Sequence, residues 1–186
     1  GVTGTNGKTT TAFLLHAILA AAGRRPALLT NIERRIGGAE QPIGLNTPEA
    51  IDLQRLMRAM LDAGDGSCVM EATSIAQQKG RLDGTRFAVL AFTNLTQDHL
   101  DFHGDMESYF AAKRALFEQA ERAVVNVGDE YGRRLAAELP GAITFDASSE
   151  ALDGIRLKLR GSFNRENALA AVLSARALGV GDDAIA

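Results

Sequence analysis

Phe13, Leu14, Ala17, Ile18 and Ala21 recur at the spacing of one helical face and Gly23 follows as a stop, so the pattern predicts a helix over 9–22. The unbroken apolar run 26–30 predicts a short buried strand, and residues 32–43, with Gly37-Gly38 in the middle, a hairpin or extended excursion. Thr47-Pro48-Glu49 is a helix entry signal, with Thr47 as cap and Pro48 in the first turn, for a helix that runs to about Ala63. An apolar stretch at 67–70 and a polar loop come next. They are followed by a strand at 87–93, a helix at about 105–120, a strand at 123–127, a helix at 130–139 and a short strand near Ile143. Residues 147–154 read as a surface loop. Strands alternating with helices define the α/β class: a mainly parallel sheet flanked by helices, with ligands at the carboxyl ends of the strands.

Composition narrows the function classes. The 186 residues are 46% hydrophobic and 23% charged, which suits one globular domain with a substantial core. No apolar run is long enough to span a bilayer, and no signal-peptide pattern is present. A net charge of -3 gives no general attraction for nucleic acid, so a bound polyanion must meet a local site. Cys68 is the single cysteine and lies in an apolar stretch, where it reads as a small core residue consistent with a reducing cytoplasm.

The local site is at the start of the chain. Gly1-Val-Thr-Gly-Thr-Asn-Gly-Lys-Thr-Thr-Thr11 is a glycine-rich loop that ends in Lys-Thr and runs into the first predicted helix. Glycines let successive N–H groups converge on phosphate oxygens, Lys8 adds a mobile charge, and the Thr9 hydroxyl is placed to reach magnesium. Val2 stands where the strict phosphate-loop pattern has its first glycine, so the compact form Gly4-Thr5-Asn6-Gly7-Lys8-Thr9, with Thr10 behind it, carries the reading. Glu71 ends the apolar stretch 67–70, where phosphate-loop enzymes place an acid beside magnesium. His99, in the polar turn after strand 87–93, fits a structural hydrogen bonder or a ligand. Lys113 lies on a predicted helix, where a single lysine by itself reads as solvated charge.

The segments GVTGTNGKTTT, VMEATS, FTNLTQDHLDFHG, YFAAKRALF, VVNVGDEYG and GSFNRENALAA, in this order, resemble the central ATP-binding domain of the Mur ligases, the amide ligases of peptidoglycan precursor synthesis. The resemblance covers nearly the whole chain. Gly44-Leu-Asn-Thr-Pro-Glu49, Asp52-Leu-Gln54 and DHLDFHGDMESYFAAK favour the branch that adds diaminopimelate or lysine to UDP-N-acetylmuramoyl-L-alanyl-D-glutamate. It implies that Gly4 to Thr10 hold the ATP phosphates, that Lys8 serves the outer ones, and that Thr9 and Glu71 hold a first magnesium. It further implies that His99 and Lys113, the latter carbamylated by carbon dioxide, serve a second magnesium, with Lys8, His99 and Lys113 as the catalytic set. Asn46, Thr47, Thr73 and Arg81 match positions that contact the UDP-sugar-peptide, and Asn126, Asp129 and Asn167 lie in segments on the nucleotide side, Asn167 being the strongest of the three. For Asn126 and Asp129, turn chemistry competes evenly.

The chain departs from the family pattern in three places. Ala72-Thr73-Ser74-Ile75 replaces a run that usually ends in Ser-Ser-His, Gln78-Lys79 stands where a substrate-contacting glutamine is sometimes found, and the stretch between Asp146 and Gly161 is shorter than usual. Residues 1–186 are expected to be the central domain alone, an excerpt without the UDP-binding and amino-acid-binding domains. Competing readings are a folylpolyglutamate-synthase-like or cyanophycin-type ligase, which would phosphorylate a different carboxylate, and a nucleotide-binding switch that ligates nothing.

Overall fold

The computed structural model describes residues 1–185. The first strand is very short: β1 is Val2–Thr3, both residues buried, followed by the loop 4–7 and α1 (Lys8–Ala21). The fully buried β2 (Pro26–Leu29) leads into the expected hairpin, β3 (Arg34–Ile36) and β4 (Ala39–Gln41), which turns through Gly37 and Gly38 at φ of 59° and 78°. Then come α2 (Ala50–Asp62), β5 (Ser67–Met70), α3 (Ser74–Gln78), β6 (Leu90–Phe92), α4 (Leu100–His103) and α5 (Met106–Ala115), which tightens into a 3₁₀ turn over Leu116–Gln119. The chain continues through β7 (Ala123–Asn126), α6 (Glu130–Glu138), β8 (Ile143–Phe145) and α7 (Ser162–Ala177).

Four parallel strands form one sheet in the order β1-β6-β7-β8, and a second sheet runs β4-β3-β2-β5, where β2 and β5 are parallel and β3 and β4 form the antiparallel edge. A parallel bridge between Val2 and Glu71, with the Ala72 amide donating to the Val2 carbonyl at 2.9 Å, joins β5 to β1. Strand β1 therefore lies mid-sheet, between β5 and β6, and the loop that leaves its carboxyl end sits between the ends of those two strands. One face of the sheet packs Leu15 and Leu19 of α1 against α7. The other buries Leu53 of α2, Phe110 of α5 and Leu135 of α6 in one apolar cluster with Phe92. Among the described residues no helix is long and apolar enough to cross a membrane.

The structure differs from the sequence pattern in several places: α3 forms within the expected polar loop, α4 precedes the expected helix, and the expected surface loop 147–154 holds a 3₁₀ turn with Leu152 buried. Thr47 does not cap α2, which starts at Ala50 behind Glu49; its buried hydroxyl instead donates to the Glu71 carbonyl at 3.2 Å. The strand predicted from 87 is paired as a strand only from Leu90, with Phe87 held by an isolated bridge to Ala120. The 16-residue α7, the longest helix, is not among the elements that the pattern predicts.

Candidate active site

Loop 4–7 closes against the end of β6. The Thr5 amide donates to the Asn94 carbonyl and the Asn6 amide to Asn94 Oδ1, both at 2.9 Å, and Thr93 Oγ1 donates to the Asn6 carbonyl at 2.6 Å. Gly4 and Gly7 have φ of 142° and 87°, and a Cβ at either would overlap the Thr93 hydroxyl or Asn167 Oδ1 respectively. The glycines are thus required by conformation and by space. Gly7 also caps α1 without a side-chain acceptor, leaving the N–H groups of the first turn, which includes Thr9 and Thr10, available to an anion. Lys8 Nζ donates to the carbonyls of Gly4 at 3.0 Å and Thr5 at 2.8 Å, and burial holds its pKa below the ordinary lysine value.

Glu71, at the end of β5, is 1% exposed. Its Oε1 accepts from Thr9 Oγ1 at 2.8 Å and from the Asn31 amide at 3.3 Å. Thr9 and Glu71 therefore present paired hard oxygen donors beside the loop, the set that suits magnesium. Among the described residues no cluster of three or more His, Cys, Asp or Glu side chains could hold a metal. A cation here would need its remaining ligands from phosphate and water, as magnesium commonly has them.

Two cavities flank the loop. One, of about 310 Å³, brings Asn46, Thr47, Thr73 and Arg81 to the same wall system as Lys8, His99 and Lys113. Thr47 and Thr73 hydroxyls lie 3.4 Å apart, and Arg81 pairs with Glu49. His99 begins α4 at φ 52°, half exposed, with Nε2 3.5 Å from Asp98 Oδ2. Lys113 is not the solvated helix lysine of the sequence reading. It is 1% exposed, donates to the Gly4 carbonyl at 2.9 Å, and lies 4.6 Å from the centre of the Tyr109 ring. Burial, reinforced by the charge of Lys8, holds its pKa well below the usual value, which favours a neutral, nucleophilic amine.

The second cavity, of about 560 Å³, lies on the Gly7 side and is lined by Asn6, Asn126, Asp129, Phe163, Glu166 and Asn167. Asp129 spends both carboxylate oxygens on structure, accepting from the Gly132 amide at 2.7 Å as the cap of α6 and from the Leu95 amide at 2.9 Å. Asn126 accepts from the Gly128 amide and donates to Glu166 Oε2 at 2.8 Å. Turn chemistry thus accounts for Asp129 and for one end of Asn126. Sequence reasoning missed the buried trio Ser74, His103 and Tyr109 on the first cavity's side. The signal available was the spacing of His99 and His103, one helical turn apart.

A phosphate loop mid-sheet, with an acid at the end of the adjacent strand and cavities on both sides, defines the class: an α/β phosphate-loop domain. The family model that describes the Mur ligase middle domain matches residues 2–156, and the chain belongs to that family. It is 41% identical, over an aligned span of 218 residues, to the UDP-N-acetylmuramoyl-L-alanyl-D-glutamate--2,6-diaminopimelate ligase of Geobacter metallireducens, a match covering 100% of this chain and 43% of that protein. With the ligase of the same name from Solibacter usitatus it is 49% identical over 140 residues, 73% of this chain and 28% of that protein. A solved structure of a UDP-N-acetylmuramoyl-L-alanyl-D-glutamate--2,6-diaminopimelate ligase superposes with a TM-score of 0.84 at 26% identity, covering 99% of this chain and 44% of that one. The chain spans less than half the length of these ligases. The 218-residue alignment exceeds the 186 residues here, in keeping with an internal stretch that is shorter in this chain.

Proposed function

We propose that this chain is the ATP-binding core of an amide ligase that joins diaminopimelate, or lysine, to UDP-N-acetylmuramoyl-L-alanyl-D-glutamate, and that it works within a longer protein carrying the UDP-sugar and amino-acid sites. The observation that carries the reading is the shared Gly4 carbonyl. Lys8 and Lys113 both donate to it, so the phosphate loop and the acceptor cavity meet at one atom.

In this reading Gly4 to Thr10 and Asn167 hold the nucleotide, and Lys8 follows the outer phosphates. The free carboxylate of the muramoyl dipeptide enters the 310 Å³ cavity, where Arg81 and the hydroxyls of Thr47 and Thr73, with Asn46, orient it. A carboxylate oxygen attacks the terminal phosphorus as the bond to the bridging oxygen of ADP breaks, giving an acyl phosphate. The amine of the incoming amino acid then attacks the acyl carbon, the acyl–oxygen bond to phosphate breaks, and the amine loses a proton. Catalysis rests on positioning and charge compensation, with no protein nucleophile. Thr9 and Glu71 would hold a first magnesium and His99 a second, which when bound supply charge neutralisation at the phosphates. The depressed pKa of Lys113 suits addition of its neutral amine to carbon dioxide, releasing a proton and leaving a carbamate with carboxylate-like oxygens beside His99.

The test uses the full-length protein that carries this chain and muramoyl dipeptide labelled with oxygen-18 in its free carboxylate. Label appearing in the released phosphate, with ADP formation dependent on the dipeptide, is the expected result. ADP release indifferent to any carboxylate would support a nucleotide-binding switch, and dependence on a folate or an acidic polypeptide would move the chain to another branch of the family.

A further inference from the structure

His103 is a buried titratable group that the proposed chemistry leaves without a task. It ends α4, is 7% exposed, and stacks on Tyr109 with ring centroids 4.8 Å apart and planes at 29°. Its Nε2 lies 2.9 Å from Ser74 Oγ, and its Nδ1 is buried without a partner. Ser74 is 1% exposed, yet it lines the acceptor cavity beside Thr73 and Arg81. A pair needed only for packing would be better served by apolar side chains, since a buried ring nitrogen without a partner is costly.

Hydrogen counting determines what the pair can do. Burial holds the His103 pKa below the ordinary value, and an imidazolium would leave a charged N–H buried without a partner at Nδ1, so the ring is neutral and only one of its nitrogens carries hydrogen. If that were Nδ1, an N–H would be orphaned and the Ser74 hydrogen would be spent on Nε2. With hydrogen on Nε2, the ring donates to Ser74 Oγ, and the serine hydrogen is free to turn toward the cavity. An acceptor carboxylate brings only hydrogen-bond acceptors, so the second arrangement pairs one more group once that anion is bound.

We propose that Ser74 is a further acceptor-binding residue, a donor to an anionic oxygen of the carboxylate substrate, and that His103, as its Nε2–H tautomer, is the positioning residue that holds Ser74 in that role. The inference rests on the carboxylate-acceptor reading above, and its two measurements separate the fate of each.

The first measurement is the long-range proton–nitrogen NMR spectrum of the chain with its three histidines labelled with nitrogen-15, the His103 signals being assigned by their loss in His103→Gln. The Nε2–H pattern near neutral pH is expected; an Nδ1–H pattern or an imidazolium overturns the proposal. This spectrum decides the tautomer even if the muramoyl dipeptide proves not to be the substrate. The second measurement is steady-state kinetics of the full-length protein. Ser74→Ala and His103→Phe should each raise KM for the dipeptide about tenfold, the loss of one hydrogen bond to a charged group, and leave KM for ATP within about twofold. His103→Gln, whose amide nitrogen reaches the position of Nε2, should recover to within about threefold, and the Ser74→Ala, His103→Phe double variant should be no worse than either single one. Additive losses, or equal changes in both KM values, mean that His103 acts as packing and overturn the proposal.

Discussion

The two cavities beside the phosphate loop are finished to different degrees. On the Gly4 side, Lys113, Tyr109 and Ser74 are each 1% exposed and already engaged: Lys113 with the Gly4 carbonyl, Tyr109 with the Thr5 hydroxyl at 3.2 Å, and Ser74 with His103. On the Gly7 side, Phe163 is 67% exposed, and Glu166 has only the Asn126 amide for company. That part of the first wall belongs to the folded core and is organised before any ligand arrives, while His99 and Leu45 line its exposed edge. The second wall has partnered side chains at its base, the buried Asn126 and the half-buried Asp129, but its rim, formed by Phe163 and Glu166, is open. Groups that must meet charge in a transition state need the first kind of construction, because a pre-oriented donor pays no reorganisation at the moment of reaction. A site that only embraces a nucleotide tolerates the second kind.

Three substitutions would break or sharpen that contrast. The largest effect is expected at the atom both walls share: Lys8→Ala should weaken magnesium-ATP binding by about 100-fold or more, the usual result of removing a principal donor to a charged group. Isothermal titration of a variant that melts like the parent checks this, and unchanged affinity would end the phosphate-loop reading.

Next, Lys113→Met should lower ligation by about 100-fold in the full-length protein while making the chain more stable, by about 1 kcal/mol or about 2–4 °C in Tm near neutral pH. The stabilisation follows because the Gly4 carbonyl keeps Lys8 as a donor when Lys113 is gone. The pH dependence has a definite sign. The folded-state pKa of Lys113 lies well below 10.5, so between the two values the unfolded chain binds more protons, and stability of the parent rises with pH toward 10.5. Below the folded-state value the penalty is present in full. In bicarbonate-free buffer the methionine variant should lose that rise, and thermal melts across the alkaline range read it directly. A variant less stable than the parent would show that Lys113 supports the fold.

The smallest effect is expected on the open rim. Phe163→Ala should change KM for ATP by no more than about threefold and leave Tm unaltered, as surface truncations generally do. A loss comparable to that at Lys8 would mean that the Gly7 wall is as organised as the Gly4 wall once nucleotide is bound.

The sequence by itself determined the parts whose information is local. The loop Gly4-Thr-Asn-Gly-Lys-Thr9, the buried strands, the Gly37-Gly38 hairpin and the carboxylate at the end of β5 depend on neighbours a few residues away, and spacing and side-chain chemistry report them. Helix α7 escaped because its buried positions include Ala168, Leu169, Ala170, Ala171 and Val172 in succession. A helix enclosed on nearly all sides has no polar stripe to reveal its period. Helix α5 misled in the opposite direction, since a lysine among Tyr109, Phe110 and Ala112 reads as exposed until the fold places Gly4, 109 residues away, over its ammonium. Ser74 and His103, 29 residues apart and on different helices, likewise meet only through packing. Whether a charged or polar side chain is buried, and with what, is decided by which distant backbone and side-chain groups the sheet order gathers at its carboxyl edge. Burial in turn controls desolvation, and so decided which lysine and which histidine have their pKa held below the ordinary value.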